Sequence, residues 1–111
     1  MKPFSEIRND NRFQSRGASS DGGDGWVTIK GAIFVVVYSN GGGWDHVSVS
    51  HKSRCPTWAE MCIIKDIFFE EEECCVEYHP AKSNYVNIHP NCLHIWKPQN
   101  RSIPVPPKIF V

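Results

Sequence analysis

Two His-Pro pairs, His79-Pro80 and His89-Pro90, flank a segment that runs on through Asn91-Cys92-Leu93-His94. Imidazole nitrogens and thiolates are the donors that zinc prefers. His79, His89, Cys92 and His94 therefore form a candidate metal set, with Cys74 or Cys75 as a further ligand. The chain has no Cys-x-x-Cys pair, so the spacing matches no zinc finger or knuckle, and each His-Pro equally suits the end of a strand or loop. The same residues admit nucleophilic chemistry. Cys92 or Cys55 would attack, His79, His89 or His94 would act as base, and Asp45 or Asp66 would orient it. No nucleophile elbow or glycine-framed serine surrounds any of them. A third chemistry is recognition. The stretch Lys82-Ser83-Asn84-Tyr85-Val86-Asn87-Ile88-His89 combines a cation, amide and hydroxyl donors and an aromatic ring, as ligand pockets and protein interfaces do.

These groups need elements to hold them. Trp26 to Lys30 alternates in the strand manner, and Ile33 to Tyr38 continues as a β-branched, aromatic strand. Asn40-Gly41-Gly42-Gly43 is a turn; it lacks the Gly-Lys-Ser/Thr ending of a phosphate loop. Trp44 to His51 alternates again, with Trp44, His46, Ser48 and Ser50 on one face and Val47 and Val49 on the other. Thr57-Trp58-Ala59-Glu60 is a capping box, and Met61, Ile64, Ile67 and Phe68 follow at helical spacing. Glu70 to Glu73 closes that helix and forms a solvated turn, because carboxylates at a helix C-terminus oppose its dipole. Cys74 to His79 and Cys92 to Trp96 read as two more strands, the second with Leu93 and Ile95 on one face and Cys92, His94 and Trp96 on the other. The prediction is an α+β domain: an antiparallel sheet of about four or five strands packed with one main helix.

Residues 1–24 hold few apolar side chains and read as a flexible arm. Residues 25–111 read as one small domain with a Pro-rich tail. The 12 Lys and Arg balance the 12 Asp and Glu among 111 residues, which argues against a general nucleic-acid binder needing a basic surplus. The longest apolar run, Ala32 to Tyr38, falls far short of the ~20 residues of a membrane span. The first residues, Met1-Lys2-Pro3-Phe4-Ser5-Glu6, contain no apolar signal core. With five cysteines, an odd number, the expectation is a reducing cytoplasm and thiols that mostly pack as small hydrophobes.

From Trp44 onward the sequence resembles a small-domain family of tailed-phage and prophage genomes. The resemblance rests on Trp44-Asp45-His46-Val47-Ser48-Val49-Ser50, on Arg54-Cys55-Pro56-Thr57-Trp58-Ala59-Glu60-Met61, and on Ile64 to Phe69. It continues through His79 to Pro90 and Cys92 to Pro98 into the tail Ile103-Pro104-Val105-Pro106-Pro107. It implies a setting rather than a mechanism: the cytoplasm of an infected bacterial host, where small phage proteins bind and block host components. The expected function is a non-enzymatic binding protein that inhibits an antiphage defence. Its partner would be a host bacterial protein or a small nucleotide signal, with homo-oligomers left open, no membrane and no cofactor. The binding residues expected are Trp44, His46, Arg54, His79, Lys82, Tyr85, Asn87, His89, His94 and Trp96. Arg54 and Lys82 would meet phosphate or carboxylate, Tyr85 and Trp96 would stack, and Asn87 and the histidines would donate hydrogen bonds. The alternative is a small zinc-binding or hydrolytic protein using the cluster from His79 to His94.

Overall fold

The structure, a computed structural model, describes residues 1–70, 74–80 and 91–98, with Cys75–Pro80 and Asn91–Pro98 described by backbone and strand register. The chain runs α1 (Phe4–Asn9), β1 (Phe13–Ala18), β2 (Gly22–Ile29), β3 (Ala32–Ser39), a 3-10 turn at Gly41–Gly43, and β4 (Trp44–His51). It continues through α2 (Trp58–Phe68), β5 (Cys75–Pro80) and β6 (Asn91–Pro98). All neighbouring strands pair antiparallel in one sheet of order β1-β2-β3-β4-β6-β5. The α+β architecture follows the sequence reading, but with six strands and a second helix.

Both additions come from residues 1–24, and the expected flexible arm is corrected to an integral part of the fold. Ile7 on α1 is fully buried, and Phe13 on β1 is 5% exposed. The amide of Lys2 donates to the Phe68 carbonyl at the end of α2 at 2.8 Å, and the Met1 α-amino group pairs with Asp45 at 2.7 Å. Arg12 grips Asp10 and reaches Asp66 on α2 at 2.9 Å. Few apolar groups are needed here because those present are placed on a core already built by β3 and α2. Burying one Ile or Phe is worth about 1.5–3 kcal/mol.

The glycines of β2 are the reason that this stretch reads as a linker and folds as a strand. A Cβ at Gly23 would lie 2.6 Å from Tyr38 Oη, and one at Gly25 would lie 2.8 Å from the Phe13 ring and collide with the Gln14 carbonyl. Glycine lets the backbone pass directly against two aromatic rings. At the other end of β2, Ile29 pairs with Ala32 across Lys30-Gly31, whose φ angles are 49° and 83°. Two successive positive φ values make the type I′ turn that matches the twist of a hairpin.

Helix α2 starts as its capping box predicts. The Glu60 amide donates to Thr57 Oγ1 at 3.2 Å, and the Thr57 amide donates to Glu60 Oε1 at 2.8 Å. Met61, Ile64, Ile67 and Phe68 are all buried. Glu70, with φ 56°, breaks the helical path just beyond Phe69. Helices α1 and α2 contribute to the same core as Val27, Phe34, Val36, Tyr38, Val47 and Val49, so both cover one face of the sheet. Tyr38 is its hub. Its ring meets Phe4, Phe13 and Phe68 at centroid distances of 5.2, 5.8 and 5.4 Å, and Arg8 Nε donates to its hydroxyl at 2.9 Å.

Candidate functional site

Strand register assigns every paired residue to a face, because directly opposed residues in an antiparallel pair share one. Val47 opposes Tyr38 and Ile95, and Val49 opposes Val36 and Leu93, which places these on the helix-covered face. The other face carries three transverse rows. His46 stands between Ser39 and Trp96, with Cys75 beyond Trp96. Ser48 stands between Val37 and His94, with Glu77 beyond His94. Ser50 stands between Val35 and Cys92, with His79 beyond Cys92. No described helix covers this second face.

Five of the ten expected binding residues, Trp44, His46, His79, His94 and Trp96, thus share one face of the β4-β6-β5 half of the sheet. Lys82, Tyr85, Asn87 and His89 lie outside the described residues. Arg54 goes elsewhere. Its guanidinium makes paired hydrogen bonds to both oxygens of Glu60, at 2.7 and 2.8 Å, and sits 5.6 Å from the Phe34 ring centroid. Phe34 belongs to the helix-covered core, so Arg54 braces the start of α2 instead of joining the other five.

The proposed orienters of a nucleophile are also committed. Asp45 is a helix-face residue paired with the Met1 amine, and Asp66 pairs with Arg12 on α2. Cys55 sits half-buried in the loop before α2. The structure therefore brings neither acid to the face that carries Cys92, His79 and His94. Among the residues with described side chains, no three His, Cys, Asp or Glu are grouped to hold a metal. Of the expected zinc set, register places His79, Cys92 and His94 on one face, whereas His89 is outside the described residues.

His46 is half-buried, and burial holds its imidazole below the usual pKa of 6.5 against the opposing pull of Asp45. A histidine so placed favours the neutral form, able to both donate and accept. Ser48 and Ser50 beside it are 1% and 0% exposed. Towards β1 the same face turns apolar. Trp26, Val35 and the 52% exposed Ile33, with Gly25, Arg16 and Asp24, line a shallow hollow of about 180 Å³. Arg16 and Asp24 form an ion pair at its rim.

Sequence reasoning placed Ser50 on this face with Trp44 and His46 but passed over Glu77. The signal was available: Cys75, Glu77 and His79 recur at the strand period of two, as Cys92, His94 and Trp96 do. What the sequence alone lacked was the pairing of β5 with β6, which lays one series against the other.

A family model, the domain of unknown function DUF7694, matches residues 36–100. The chain belongs to that family. The matched segment starts within β3 and includes β4, α2, β5 and β6, and with them every residue of the three rows on those last strands. Helix α1, β1 and β2 precede it. No curated protein and no solved structure matches the chain.

Proposed function

We propose that this chain is a non-enzymatic binding protein whose contact surface is the sheet face turned away from its helices. The observation that supports this reading best is the register, which gathers Trp44, His46, His79, His94 and Trp96 on one face. An apolar hollow at Trp26 and Ile33 adjoins them. Aromatic and imidazole groups beside an apolar patch, with few formal charges, are the composition of a recognition surface. The charge balance of the whole chain fits a protein or small-molecule partner better than a general nucleic-acid one.

In this reading the protein is a phage-type accessory factor in the cytoplasm of an infected bacterium. It inhibits an antiphage defence by covering a host protein or sequestering a nucleotide signal. Lys82, Tyr85, Asn87 and His89, which lie outside the described residues, are the other contacts this reading expects. The test is native mass spectrometry of protein purified gently from a bacterial host, with and without denaturation. A stoichiometric partner or nucleotide, released on denaturation and lost from a Trp96→Ala or Tyr85→Ala variant with an intact fold, supports the proposal. Its mass separates the two kinds of partner. A partner retained equally by these variants and by His46→Ala and Lys82→Ala would place recognition on another surface.

A further inference from the structure

Among the described residues three large apolar side chains are markedly exposed: Ile33, Trp58 and Ile63, at 52%, 37% and 39%. Ile33 belongs to the hollow on the open sheet face. Trp58 and Ile63 stand instead on α2. With the exposed Ala59 and Cys62 they form one stripe, because residues four apart on a helix share a side. The stripe lies opposite Met61, Ile64, Ile67 and Phe68, which α2 buries in the core. A surface helix ordinarily turns charged and polar residues to that outer side.

The two ends of the stripe differ in charge. Exposed Lys52 and Arg54 lead into the start of α2. Asp66 and Glu70 are exposed at its end, where the sequence continues as Glu71-Glu72-Glu73. Arg54 and Asp66 already hold Glu60 and Arg12, but the Lys52 ammonium and the Glu70 carboxylate have no partner among the described residues. A second copy laid antiparallel across the stripe sets the positive end of each helix against the negative end of the other, and two-fold symmetry makes that match twice. The formal net charge of zero removes the bulk repulsion that keeps strongly charged proteins apart. Ile63 is the middle residue of Trp58–Phe68, so Cys62 and Ile63 fall beside the symmetry axis.

We infer that the outer face of α2 is a self-association surface, on which two copies of this chain pack α2 against α2 in antiparallel fashion around Trp58, Cys62 and Ile63. An 11-residue helix is ~16 Å long, and one face of it falls short of the ~800 Å² that each partner gives to a standard interface. The dimer is therefore weak and concentration-dependent. Its surface lies on the helix side of the molecule, away from the sheet face of the partner-binding reading, and does not depend on that reading.

The experiment is sedimentation velocity of the full-length protein over a concentration series under reducing conditions, paired with cross-linking by a short bis-maleimide. The expected result is a monomer–dimer equilibrium and a covalent dimer that Cys62→Ser abolishes. Ile63→Glu puts a charge at the centre and weakens association at least ~10-fold, whereas Ile33→Glu, on the other face, leaves it unchanged. Lys52→Glu and Glu70→Lys each weaken the dimer, and the double variant recovers it. Far-UV circular dichroism confirms that each variant is folded. Should Ile63→Glu fail to fold, the wild-type cross-link decides: without a Cys62-dependent dimer the inference is overturned. A chain that stays monomeric throughout the series, a dimer indifferent to folded Ile63→Glu, or no recovery in the double charge variant overturns it equally. So does a monomer that captures a different protein through Ile63, which would assign the face to that partner.

Discussion

Arg54 shows how a residue type can be read correctly and its partner missed. A guanidinium seeks a carboxylate or phosphate, and here it finds Glu60 within the same chain, six residues on. The Arg54 hydrogen bonds, helped by those from Thr57, hold the Glu60 carboxyl at about 2, below its ordinary value of 4.5. A carboxyl with a depressed folded pKa adds stability that is fully present above 4.5 and is lost as pH falls towards 2. Urea midpoints taken through that window should therefore drop less steeply for Glu60→Gln than for the wild type. At neutral pH, Thr57→Ala removes the other half of the capping box and should cost about 1 kcal/mol in the same assay. The capping box was legible because its four residues are contiguous. The Arg54 contact was not, because nothing local says whether a cation before a helix faces inward or outward.

At the scale of elements, α2 and β4 were plain in the sequence because each repeats apolar residues at its own period, and β3 because Ala32 to Tyr38 is an unbroken β-branched and aromatic run. Strand β1 and the first half of β2 were not, because their apolar content is low and Gly22-Gly23-Asp24-Gly25 mimics a linker, whereas the Trp26 to Ile29 half of β2 was read as a strand. Those glycines are absences that fit something else: Tyr38 and Phe13 occupy the space where side chains would be. Gly25→Ala should accordingly lower stability by about 3 kcal/mol, at the upper end of overpacking costs, and a Tm shift will register it. The β2–β3 turn gives the opposite expectation. Lys30 holds φ 49°, a region that asparagine tolerates better, so Lys30→Asn should raise stability by a few tenths of a kcal/mol, measurable as a higher urea midpoint. The site was legible to the same degree as its strands. The alternation in β4 and β6 assigned their faces correctly, but only the pairing shows that β5 contributes Glu77 and His79 to the same rows.

For the whole molecule, one aromatic core joins segments far apart in the chain, and the first helix is part of it. Ile7→Ala should cost about 2–4 kcal/mol, close to a typical core isoleucine and far above the near-zero effect of a change in a loose arm. Thermal unfolding followed by near-UV circular dichroism will show it, because Phe4, Phe13 and Phe68 surround Tyr38. The strand order β1-β2-β3-β4-β6-β5 also has a consequence for synthesis on the ribosome. The first four strands pair with their sequence neighbours and can assemble as they emerge. Strand β4 then waits, its far edge open, until Asn91–Pro98 arrives to pair with it. During that interval the nascent chain presents the open edge of a strand that is paired on one side only, the kind of edge that recruits chaperones or other chains. A stall after residue 90 would leave that edge exposed indefinitely, so β6 acts as the protein's own safeguard against misassociation.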